Sequence, residues 1–160
     1  MDTNNLERLT FDSVWQRVTD GTDTKLSPAS NDEITLADLI AGEKENYAFY
    51  RFAHHLGGGC SSLFVALADS SRRRLGRLQT FYYLMFGNSC TVSAASISKP
   101  QGILPALRDA YWRENETASK LVSAAVSISH GKFSSYGAEF ARQAAENAEH
   151  IIQIIDRIMK

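Results

Sequence analysis

Cysteine is scarce in this chain. Cys60 and Cys90 are the two it has, too few for a disulfide framework and without the local CxxC spacing of a zinc site. They read as ordinary thiols of a reducing compartment. Long apolar runs are missing too. None approaches the roughly 18 residues that cross a bilayer, so no membrane partner is expected. A basic excess is also absent. The formal net charge is −1, which argues against a dedicated nucleic-acid binder. The start, MDTNNLERLT, has neither a basic cluster nor an apolar segment, so no signal peptide is expected. A cytoplasmic, soluble protein is the expectation. The glycines of GGGCSS, from residue 57, lack the GK[ST] ending and the preceding strand of a phosphate loop. No Ser-His-Asp or Cys-His spacing supports nucleophilic catalysis. Strand signals are weak: CTVSAASIS, from residue 90, is the best and is too isolated to build a sheet.

What remains is helical pattern. Residues 1–34 form a mixed N-terminal segment. In it LERLTFDSVWQRV is a short amphipathic stretch around Trp15, and GTDTKLSPASND is a polar loop. Residues 35–160 carry four longer patterns. The first spans about 35–56, with Thr35 as its expected N-cap, a stripe at 36, 39, 43, 46, 50 and 53, and GGG as its stop. The second spans about 62–86, with a stripe at 64, 67, 71, 74, 78, 81 and 85. The third spans about 103–127, with a stripe at 104, 107, 111, 114, 118, 121 and 125. The fourth spans about 134–159, with a stripe at 136, 140, 143, 147, 150, 154 and 158. Helices of this length run about 33–39 Å. The predicted fold class is all-α: an antiparallel four-helix bundle of two hairpins, with residues 88–102 as a crossover between helices 2 and 3.

Every stripe is broken by polar residues near its middle. The breaks are Glu43 with Asn46, Ser71 with Arg74, Glu114, and Asn147 with His150. In a bundle they meet at one level. Two helices each giving a Glu, and two each giving Glu-x-x-His, is a known way to hold a metal pair. Carboxylates bridge two ions, and imidazole supplies a neutral terminal ligand. AGEKENYAFYRFA, ADSSRRRLGRLQTFYYLMFG, LRDAYWRENETASKLVSAA and FARQAAENAEHIIQIIDRIM resemble the four helices of the ferritin-like superfamily, closest to its rubrerythrin-like branch. The resemblance covers about residues 35–159. It puts Glu43, Glu114 and His150 in ligand places, with Tyr50 beside them, and implies a ferritin-like topology and a homodimer.

The departures from that pattern are specific. The Glu-x-x-His of the second helix reads Ser71-x-x-Arg74, and that of the fourth reads Asn147-x-x-His150. Two buried carboxylates left alone would repel. The guanidinium of Arg74 can neutralise them with donors in a planar fork. Arg74 is therefore expected to pair with Glu43, Glu114 or both, in the space the resemblance gives to metal. The alternative is that it snorkels to solvent beside Arg72, Arg73 and Arg77. His54 and His55 read as a surface pair. Tyr47, Tyr82, Tyr83 and Tyr111 read as packing residues. No Cys-rich rubredoxin-like segment follows the bundle.

The expected function is a bundle that has lost its dimetal centre and acts as a structural or partner-binding protein, without a cofactor. Its protein partner is unidentified. The alternative is an iron or manganese oxidoreductase with a reduced site of Glu43, Glu114 and His150.

Overall fold

The computed structural model describes residues 28–160. The expected amphipathic stretch around Trp15 lies outside them. Four helices account for most of the described chain: α1 Asn31–His54, α2 Ser61–Phe86, α3 Ile103–Ser127 and α4 Gly131–Met159. A single 3-10 turn, Gly58–Cys60, precedes α2. No strand forms among the described residues, and CTVSAASIS runs as irregular chain. Among the described residues no helix is long and apolar enough to cross a membrane.

α1 begins earlier than expected. Its N-cap is Ser30, not Thr35, and the Ser30 hydroxyl accepts a hydrogen bond from the Glu33 N–H at 3.2 Å. Ser30 and Glu33 have the Ser-x-x-Glu spacing of a capping box. Asp32 and Glu33 also sit where the helix dipole favours negative charge. The polar first turn lies outside the apolar stripe, which is why periodicity alone placed the start too late. α2 closes at Gly87, whose φ of 75° is left-handed and whose N–H reaches the Tyr83 carbonyl at 2.8 Å.

Side-chain partners give the helix directions. Glu33 meets Tyr82 and Glu43 meets Ser71, so α1 and α2 are antiparallel. Asp38 meets Lys120 and Tyr50 meets Glu114, so α1 and α3 are antiparallel. Phe81 meets Phe133 and Arg77 meets Tyr136, so α4 runs against α2. The hairpins α1–α2 and α3–α4 are the closest-packed pairs. In chain order the helices run up, down, down, up.

The irregular segment between α2 and α3 makes this order possible. Cys90 and Val92 pack on one end of the bundle and Ile97 on the other, so the segment travels along it. Lys44 ties it to α1 through the Val92 carbonyl at 2.5 Å.

The core has two apolar halves. One gathers Leu36, Ile40, Leu78, Phe81, Leu121 and Phe133. The other gathers Phe49, Phe64, Leu67, Leu107 and Ile151. Between them lie Glu43, Asn46, Ser71, Arg74, Glu114 and Thr117, all buried. The stripes predicted for α1 and α2 are buried from Leu36 to Ala53 and from Phe64 to Phe81. α4 differs. Its core face runs through Phe133, Gly137, Ala141, Ala144, Ala148 and Ile151, one position round from the predicted stripe.

α3 and α4 come closest at Gly137, where an added Cβ would lie 3.0 Å from the Ala125 Cβ. Gly76, on α2, is exposed and has nothing within 4 Å of that position. Substitution at the two glycines therefore has opposite expected signs. Gly137→Leu should lose about 1–3 kcal/mol by overpacking. Gly76→Ala should gain up to about 1 kcal/mol by helix propensity. Urea denaturation of both variants checks this.

Candidate functional site

The buried layer is centred on Arg74, which is 0% exposed. Its position on α2, three residues after Ser71, turns both side chains toward α1 and α3. Arg74 Nε donates to Glu43 Oε1 at 2.6 Å, and Nη2 donates to Glu43 Oε2 at 3.3 Å. The same Nη2 donates to Glu114 Oε1 at 3.1 Å. One guanidinium thus joins carboxylates from α1 and α3. Burial leaves the solvent-facing alternative without support.

Both carboxylates collect further donors. The Ser71 hydroxyl lies 2.5 Å from Glu43 Oε2 and 3.0 Å from the Glu43 carbonyl oxygen. The Tyr50 hydroxyl donates to Glu114 Oε1 at 2.6 Å, and Asn147 Nδ2 donates to Glu114 Oε2 at 3.1 Å. Beside this network Asn46 Nδ2 donates to Thr117 Oγ1 at 2.9 Å. Arg113 Nη1 donates to Asn46 Oδ1 at 3.2 Å, and its guanidinium lies 4.5 Å over the Phe49 ring. A cavity of about 120 Å³ between α1 and α3 reaches Glu43 and Asn46 from outside.

Charge in the layer does not cancel when both carboxylates are ionised: two negatives face one positive. Burial pushes the Glu43 carboxyl above its ordinary value of 4.5, against the opposing pull of Arg74 and the Ser71 hydrogen bond. Geometry agrees with this direction. The Ser71 hydroxyl has one hydrogen and two oxygens within reach. When it donates to the backbone carbonyl, the 2.5 Å contact to Oε2 is satisfied by a proton on Glu43. Burial opposes charge on Arg74, but Glu43 and Glu114 outweigh it, and its pKa moves up. Tyr50 is pushed well above 10.0 by burial and by Glu114, so its hydroxyl stays a donor.

Glu43, Ser71, Arg74, Glu114 and Asn147 of the predicted layer come together, with Asn46 and Tyr50 beside them. His150 does not. It is exposed, because the α4 core face passes through Ala148 and Ile151 instead. Thr117 and Arg113 were missed. Thr117 carried a signal, since it stands three residues after Glu114 and so on the same helix face. His54 is held by the Ser61 hydroxyl at 2.7 Å and stacks on His55 away from the layer. Tyr82 donates to Glu33 at 2.9 Å, and Tyr83 is exposed.

These residues do not suit a metal pair. The carboxylate oxygens are taken up by donors, a fixed cation lies between them, and the one histidine is outside. Among the described residues no three His, Cys, Asp or Glu side chains gather as a metal site. Neither family models, nor curated proteins, nor solved structures yield a match to the chain.

Two variants separate the roles of the charges. Arg74→Met leaves two buried carboxylates without their shared cation and should lose about 3–5 kcal/mol. Glu43→Gln should act through pH. Above 4.5 the native state holds the Glu43 proton more tightly than the unfolded chain does. Stability contributed by Glu43 therefore falls as pH rises from 4.5 through its raised native value. Glu43→Gln removes that fall. Denaturant titrations from pH 4.5 to about pH 7 should show the variant gaining on the wild type toward the upper end.

Proposed function

We propose that the protein is a ferritin-like, rubrerythrin-like bundle in which an arginine network stands in the place of a metal pair. Its role is structural or partner-binding rather than catalytic, and it works as a homodimer. The observation that carries this reading is the guanidinium of Arg74 bonded to both Glu43 and Glu114 at full burial. Two further features support it. The up, down, down, up order with a lengthwise crossover is one arrangement open to such bundles. The polar residues from all four helices also stand at one depth, as a shared site would require.

The oxidoreductase alternative needs Glu43, Glu114 and His150 around one ion. Exposure of His150 separates it from the two carboxylates. Arg74 also raises the cost of placing another cation there.

Metal analysis tests the proposal directly. After anaerobic loading with ferrous iron or manganese and removal of free ions, the expected content is far below one ion per chain. Near-stoichiometric metal that disappears in Glu43→Gln and Glu114→Gln would overturn the arginine-for-metal reading. For the homodimer, light scattering should return twice the chain mass. A single-chain mass across a wide concentration range would remove that part.

A further inference from the structure

The geometry points to a second site, an anion-binding cleft between α2 and α4 that takes a small phosphate-bearing ligand with an apolar or aromatic body. It does not depend on the function proposed above. α2 and α4 pack far less closely than the partners within either hairpin. They meet at Phe81, Phe133 and Tyr136 and leave an open cavity of about 530 Å³ beyond that contact. This lies within the size range of small-molecule sites.

The lining supplies donors and positive charge. Arg73 and Arg77 stand one turn apart on α2, and Ser70 completes that wall. Neither arginine forms an ion pair among the described residues. Arg77 is held instead over the Tyr136 ring, 5.3 Å from its centroid, which orders its guanidinium in advance. Across the cleft, Phe140 gives an apolar surface, and Gln143 and Asn147 add amides. The one acid in the lining, Glu146, is taken by Arg142 at 2.5 Å. The space is thus bordered by two guanidinium groups outside any ion pair among the described residues, and its one carboxylate is paired with Arg142. Paired guanidiniums suit phosphate oxygens, which they bind through parallel N–H donors. The Phe140 ring in the wall suits an apolar body rather than a bare ion.

The predicted α4 stripe gains a meaning here. Tyr136, Phe140, Gln143 and Asn147 are half-buried rather than core, and the last three line this cleft. Asn147 also bonds Glu114, so the cleft floor touches the buried network.

Titration with phenyl phosphate, followed by NMR shifts of the arginine and glutamine side chains, tests the site. The expected result is saturable binding with Kd near or below about 1 mM. Inorganic phosphate should bind more weakly. Arg73→Ala and Arg77→Ala should each weaken phenyl phosphate about tenfold or more. Arg72→Ala, an exposed arginine on α2 outside the cleft, should leave the affinity unchanged. The proposal fails if binding does not saturate, or if Arg72→Ala weakens it as much as the cleft variants. Equal binding of inorganic phosphate would remove the apolar body from it.

Discussion

One guanidinium buried between two carboxylates is the constraint around which the bundle is arranged. Arg74 makes no contact with water, so its charge must be met inside the protein. Glu43 meets it from α1 and Glu114 from α3. Asn147 then supplies the one oxygen that Arg74 leaves, Glu114 Oε2, while Ser71 and Tyr50 add second contacts at Glu43 Oε2 and Glu114 Oε1. Every helix contributes, and none can rotate without stranding a buried polar group. An apolar core would tolerate such rotations far more cheaply. The layer is therefore better understood as fixing which way each helix faces than as a source of net stability.

The two apolar half-cores follow from the same constraint. Apolar contacts on each side keep Arg74 and Glu114 out of bulk solvent, which strengthens their hydrogen bonds and raises the cost of breaking one, while the α1–α3 cavity still reaches Glu43. That arrangement also leaves the charge state unbalanced. A proton on Glu43, whose neutral form burial favours, brings the layer to neutrality.

Much of this was legible in the residues. The stripes of α1 and α2 were read correctly because large apolar side chains mark their buried faces: Leu36, Leu39, Tyr50, Phe64, Leu67, Leu78 and Phe81. α4 was read one position off. Its core face is built from Gly137, Ala141, Ala144 and Ala148, which mark a face weakly, while Tyr136 and Phe140 lie on its flank. That slip put His150 in the layer when it is exposed. The pairing of Arg74 with the glutamates was one of two readings, favoured by charge over a solvent-facing arginine, and the geometry bears it out. Thr117 and Arg113 went unseen because the pattern sought was Glu with His. The start of α1 was hidden by its polar capping turn.

The lengthwise crossover divides the network between two separately built halves. The first hairpin, α1–α2, contains Glu43, Ser71 and Arg74, and so carries its own hydrogen-bonded carboxyl–guanidinium contact. The second, α3–α4, contains Glu114 with only the neutral Asn147 beside it. Tyr50 and Arg74 reach Glu114 solely across the junction. Contacts inside each hairpin are near in sequence, whereas those across the junction close a long loop, which is the slower event. Glu114 consequently stays hydrated until the halves come together. Assembly of the two hairpins is then also the desolvation of this carboxylate, which exchanges water for Arg74 and Tyr50 at a ready-made receptor.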